Sequence, residues 1–205
     1  AGHHILEIGS AYGVATIPAL QKGCTVYAND LSQDHLNILK NHTPLAYQDH
    51  LHLLSGDFLE QKIPTAFFDM CFSARVFHFF TGEQIMKALA MIFQALKPLG
   101  KLFLVNDTPY MNDYQSFIPL FEERLKNNVP WPGIIEDVYS YAPKRKNNVP
   151  SFFNLLDPQT LTRACTEAGF KVIKSSFIAR EDFPVDLKLD GRESVGLVAI
   201  KDISE

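Results

Sequence analysis

Short apolar runs alternate with helix-period segments along this chain, and that alternation restricts the fold more than any other feature. The runs at 5–8 (ILEI), 25–28 (TVYA), 51–54 (LHLL), 67–72 (FFDMCF) and 101–105 (KLFLV) read as strands, with helices expected near 14–22, 33–42 and 82–97. Repetition of this kind predicts βαβ units with right-handed crossovers and a parallel sheet. Continuous apolar runs suit strands covered on both faces. Two further extended runs, 170–179 and 194–201, flank Pro184, Asp190 and Gly191 and read as an antiparallel pair. The expected class is α/β: a doubly wound, mostly parallel seven-stranded sheet with a C-terminal antiparallel hairpin and an inserted cap segment.

The helix limits have local causes. In 82–97, Ile85, Leu89, Ile92 and Leu96 share a face, Thr81 and Gln84 form a capping-box pair, and Pro98 and Gly100 mark the stop. Asp157 is an N-cap candidate before Pro158, with Gly169 as the stop of a helix over about 158–168. Residues 107–156 break the alternation with six prolines, four tyrosines and Trp131, and one helix is expected near 113–126. Long connections of this kind are usually functional, and the aromatic content argues against disorder. The expected organisation is 1–106 as a cofactor-binding half, 107–156 as a substrate cap over the strands' carboxyl ends, and 157–205 completing the first unit. "KNNVP" at 126–130 and 146–150 reads as repeated turn chemistry.

Composition narrows the partners. The 205 residues are 46% hydrophobic and 20% charged, which suits one domain with an elaboration. A net charge of −4 argues against nucleic-acid binding, and Lys144-Arg145-Lys146 reads as a solvated loop tip. Cys24, Cys71 and Cys165 are far apart, with no metal spacing, so a reducing, cytoplasmic setting without disulfide or zinc is expected. His50 and His52 share a strand face without an obvious third ligand, and no metal site is expected. No apolar stretch approaches the length of a membrane span. The chain starts without a methionine and runs at once into a strand, as a piece of a longer sequence would.

Acids stand at three successive strand ends: Glu7, Asp30 and Asp57, 23 and then 27 residues apart. In doubly wound sheets ligands bind outside those ends. Gly9 and Gly13 permit a close approach to the main chain. Asp30 is placed to accept from ribose hydroxyls, and Asp57, with Phe58 beside it, from the exocyclic amine of a base. The loop lacks the Lys-Ser/Thr ending that cradles phosphates. Three acids around a nucleoside favour a positively charged ligand.

These stretches resemble the class I S-adenosylmethionine-dependent methyltransferases. "LEIGSAYG" looks like that family's first motif, "YANDLS" its acidic second-strand end, "LLSGDFLE" its adenine-contacting motif and "FDMCFSARVFHFF" its fourth-strand motif. "LKPLGKLFLV", "LTRACTEAGFKVI" and "SVGLVAIK" follow in the family's order. The resemblance implies S-adenosylmethionine as cofactor and S-adenosylhomocysteine as product. It implies that Glu7, Gly9, Ser10 and Gly13 line the methionyl end, that Asp30 holds the ribose, and that Leu31 packs on the adenine. Asp57 and Phe58 would read the adenine edge, and Ser73, Ala74 and Arg75 would lie beside the amino-acid tail. In one departure Ala11 replaces the family's middle glycine.

The expected reaction is methyl transfer to a small molecule. Its catalytic candidates are His78, Asp107 and Tyr110, should the acceptor need to lose a proton. His78 also reads as a satisfied core group. "NDTPY" departs from the adenine-amine methyltransferase signature at Thr108 and follows the wrong strand. Metal-assisted catechol-type transfer wants an acid where the chain has Ser73-Ala74-Arg75. Three alternatives remain: a protein or peptide acceptor, a nicotinamide oxidoreductase sharing Asp30 but lacking G-x-G-x-x-G, and a non-catalytic cofactor-binding module suggested by Ala11.

Overall fold

The computed structural model describes residues 2–146, 148–181 and 183–202. Its elements run β1 (His4–Ile8), α1 (Thr16–Gln21), β2 (Thr25–Asp30), α2 (Gln33–His42), β3 (Leu51–Ser55), β4 (Phe68–Ala74), α3 (Gly82–Ala95) and β5 (Leu96–Asp107). After these come α4 (Ile118–Lys126), β6 (Ile134–Ile135), β7 (Phe153–Asn154), α5 (Pro158–Glu167), β8 (Phe170–Ile178) and β9 (Ser194–Lys201). Seven strands form one sheet in the order β3-β2-β1-β4-β5-β9-β8. β1 to β5 are parallel, and β9 runs antiparallel to both β5 and β8. The expected fold class is therefore observed. The strand order reverses between β1 and β4, which is the switch point where such sheets open a crevice.

Local chemistry explains most element limits. α3 begins with the full Thr81–Gln84 capping box. It stops at Ala95, short of the expected 97, and Leu96 already pairs in extended form with Phe68. Pro98 disfavours helix at Lys97, and Leu99 adopts a left-handed φ of 62°. α4 starts at Ile118 and not near 113, because Pro119 is tolerated only in a first turn; residues 112–114 make a separate 3-10 turn. α5 is capped by Asp157, whose carboxylate accepts from the Gln159 and Thr160 amides.

Two cores cover the sheet. Leu6, Ile8, Phe68, Cys71, Ile85, Leu89 and Ile92 pack with α3 and α5, and Val26, Ala28, Leu36 and Leu39 pack under α2. A third core belongs to the cap. Tyr114, Phe117, Phe121, Val138 and Phe153 form it together with Phe183 and Leu187 from the β8–β9 connection. This core thus joins the segment expected as a cap to residues beyond 107–156, and a two-stranded β6–β7 sheet lies within that segment. The second KNNVP copy includes residue 147, which lies outside the described residues; the first ends α4, with Asn128 at a φ of 55°. Among the described residues no helix is long and apolar enough to cross a membrane.

Candidate active site

A cavity of about 660 Å³ opens at the carboxyl ends of β1 to β4, a volume suited to a small molecule. Glu7, Asp30 and Asp57 all line it, as do Gly9, Ser10, Leu31, Phe58, Ala74 and Arg75. The parallel register makes this possible: Glu7 pairs with Ala28, and Asp30 with Ser55, so consecutive strands end at nearly one level.

The three acids differ in environment. Glu7 is 5% exposed, and its Oε2 accepts from the hydroxyl of Thr16, the first residue of α1. Burial pushes its carboxyl up to about 7, opposed by that hydrogen bond. Asp30 already holds three donors: the Ala11 amide at 2.9 Å, the Ser32 amide at 2.9 Å and His35 Nδ1 at 3.2 Å. A carboxylate offers about four acceptor positions, so Asp30 retains about one for a ligand. Asp57 caps the 3-10 turn Phe58–Glu60 through the Leu59 amide while also lining the cavity. Asn29 donates to the Leu54 and Gly56 carbonyls and so ties the Asp57 loop to the end of β2.

The glycines have a cause other than ligand approach. Gly9 is at a φ of 75°, and a Cβ there would meet Val76 Cγ2 at 2.3 Å. Gly13 does not line the cavity; at a φ of 88°, its Cβ would meet Leu39 Cδ1 at 2.3 Å. Both positions are closed by protein packing and left-handed backbone. Ala11 takes a φ of 45°, the conformation for which a glycine is suited, at a cost on the order of 1–2 kcal/mol. Its amide faces Asp30, which supports the conformation.

The catalytic candidates separate. His78 lines the cavity, 2% exposed, with its rim ring neighbour Phe79 at 4.3 Å. Burial pushes its imidazole down to about 4, so it is neutral at pH 7 and a weaker base than a free imidazole. The Asp107 amide lies 3.5 Å from its Nδ1, which leaves the hydrogen on Nε2. Asp107 itself does not line the cavity; its Oδ2 lies 3.4 Å from Arg75 Nη2, and its Oδ1 is buried without a partner. Tyr110 is drawn into the cap instead. It packs on Phe121 and Phe177, its hydroxyl reaches Glu122, and the Arg192 guanidinium sits 3.6 Å over its ring. Burial, the largest influence, raises its pKa.

No cap residue lines the cavity among the described residues. The cap acts at one remove, through Phe153 against the His78 and Phe79 rings at 5.4 Å each. His35, Asn29, Val14, Phe72 and Phe80 line the cavity without having been singled out from sequence. Only His35 carried a signal, since it lies in the first turn of the helix that Asp30 precedes. Among the described residues no three His, Cys, Asp or Glu side chains gather where a metal could sit.

Comparison with known proteins agrees with this geometry. The methyltransferase-domain family matches residues 6–104. An uncharacterized methyltransferase of Geobacillus sp. (strain WCH70) is 31% identical over 123 residues, 60% of this chain and 55% of that protein. The match thus spans little more than half of that relative's length. A crystal structure of an S-adenosylmethionine-dependent methyltransferase from Mesorhizobium loti superposes with a TM-score of 0.71 at 16% identity, covering 98% of this chain and 91% of that one. Another, from Methanosarcina mazei, gives 0.71 at 14% identity, with 99% and 94% covered. Residues 6–104 thus match the methyltransferase-domain family, and the chain shares the fold of solved S-adenosylmethionine-dependent methyltransferases.

The residues present fit the family's cofactor. Carboxylates suit a ligand bearing a sulfonium and an ammonium, and Ser10 Oγ is buried at the cavity wall without a partner.

Proposed function

We propose that this chain transfers the methyl group of S-adenosylmethionine to a small-molecule acceptor. The observation that carries the reading is the convergence of Glu7, Asp30 and Asp57 on one cavity of about 660 Å³. Glu7, Gly9 and Ser10 serve the methionyl end, Asp30 and Leu31 the ribose and adenine, and Asp57 and Phe58 the adenine edge.

The cofactor, when bound, supplies a methyl group on a positively charged sulfur, a good leaving group that needs no protonation. The protein's part is positioning and exclusion of water. Asp30, pinned by Ala11, Ser32 and His35, is preorganised to receive a hydroxyl. Phe72, Phe79 and Phe80 supply an apolar part of the cavity lining. His78 stands on that wall as a neutral, weakly basic imidazole that presents its Nε2 hydrogen as a donor.

Calorimetric titration with S-adenosylhomocysteine tests the reading. Binding by the wild type and its loss in Asp30→Ala are expected. Folded wild-type protein that takes up no heat, with the variant unchanged, contradicts it. Transfer of radiolabelled methyl to species separated by size then sorts small molecules from proteins; label confined to macromolecules contradicts the small-molecule acceptor.

A further inference from the structure

Three walls of the cavity carry acids, while the fourth, built by the end of β4 and the turn after it, carries none. Its polar groups are Arg75 and His78, and Phe72, Ala74, Val76, Phe79 and Phe80 make up the rest. Arg75 is the one lysine or arginine among the described lining residues.

The guanidinium leans away from the cofactor loops. β4 lies between β1 and β5 in the sheet. The Arg75 amide donates to Val105 O at 2.7 Å, and its Nη2 lies 3.4 Å from Asp107 Oδ2, both partners belonging to β5. Glu7, Asp30 and Asp57 stand on the other side, at the ends of β1 to β3. The contact with Asp107 is long, and a guanidinium has five N–H donors, so most remain for a second partner. The Arg75 side chain is half exposed, at 51%.

Backbone geometry points the same way. Arg75 is left-handed at a φ of 62°, a conformation costing a non-glycine residue on the order of 1–2 kcal/mol. Strain of this kind gathers where a side chain must be aimed. Beside it, His78 accepts at Nδ1 from the Asp107 amide and therefore holds its hydrogen on Nε2. Both polar groups on this wall are donors.

Resting on the methyltransferase reading, we infer that the acceptor is a small apolar or aromatic molecule bearing a carboxylate, with Arg75 as its counter-ion in place of the position beside the cofactor's amino-acid tail that the resemblance implies. An acceptor amine finds no comparable partner here, because the cavity's acids lie on the nucleoside side and Asp107 already faces Arg75. The bidentate match of guanidinium and carboxylate supplies orientation as well as affinity.

The test uses the whole protein saturated with S-adenosylhomocysteine and titrated with benzoate or benzylamine, two probes of matched shape and opposite charge. Benzoate is expected to bind at least about tenfold more tightly than benzylamine, the value of one charge-assisted contact. Arg75→Asn, chosen because asparagine tolerates the left-handed backbone, should weaken benzoate by about tenfold or more while leaving S-adenosylhomocysteine within about twofold. Equal or tighter binding of benzylamine, or no benzoate binding, overturns the inference. So does a tenfold loss of S-adenosylhomocysteine in Arg75→Asn, which assigns the arginine to the cofactor's own carboxylate. Failure of the wild type to bind S-adenosylhomocysteine at all is a different result and removes the underlying reading.

Discussion

The strand tips of β1 to β3 and the cap are made of opposite materials and meet the cavity in opposite ways. At the tips, three acids line the cavity directly, with Glu7 and Asp30 nearly buried and Asp57 exposed. The cap turns Phe117, Phe121 and Tyr114 into a core of its own and reaches the cavity only by Phe153 against His78 and Phe79. The lining comes from a contiguous part of the chain, residues 7–80. The cap is assembled from segments as far apart as Tyr110 and Leu187. The site's chemistry is therefore local, while its shape on one side is held from a distance.

Four perturbations sharpen that contrast, beginning with the largest. Phe121 is fully buried in the cap core, so Phe121→Ala should cost about 3–5 kcal/mol in denaturant unfolding. Where the variant is folded, its affinity for S-adenosylhomocysteine should stay near wild type; a matching loss of binding shows the cap to be part of the cofactor site.

Glu7 separates stability from binding. Its folded-state pKa is about 7 against an ordinary 4.5, so the folded protein holds an extra proton between those values. Stability therefore falls as pH rises from about 4.5 to about 7 and stays lowered above. Glu7→Gln should recover on the order of 3 kcal/mol above pH 7 and little below pH 4.5, read from melts across pH. A cationic ligand reverses the sign. Wild-type affinity for S-adenosylmethionine should rise with pH through 7, and the glutamine variant should lose that slope.

Asp30→Ala should weaken S-adenosylhomocysteine by about 2 kcal/mol or more, since a charged acceptor is lost and the Ala11 amide loses its partner with it. An unchanged affinity places the ribose elsewhere. The smallest effect is expected for Ala11→Gly. Relief of left-handed strain, less the added freedom of glycine when unfolded, leaves a gain of about 0.5 kcal/mol. A loss of stability shows that the alanine methyl is packed and not merely tolerated.

Legibility in sequence follows the same division. α2 runs over 33–42 as its periodicity predicts, and the Thr81 and Asp157 caps form, because each depends on neighbours within a few residues. The acids converge because parallel strands in register bring their ends to one level. Tyr110 and Asp107 were readable as strand-end residues, but not as partners of Arg192 and Arg75, since those contacts depend on how distant segments settle. The cap share of Phe183 and Leu187 was hidden for the same reason. Gly9 and Gly13 were readable as necessary glycines; their reason, Val76 and Leu39 in the way of a Cβ, was not.

A crystal structure of the protein with S-adenosylhomocysteine tests the central claim most directly. The account predicts the ribose against Asp30, the adenine amine against Asp57 and the amino-acid end beside Glu7 and Ser10. A nucleoside bound on another surface, or lying in this cavity with none of the three acids within hydrogen-bonding distance, contradicts it.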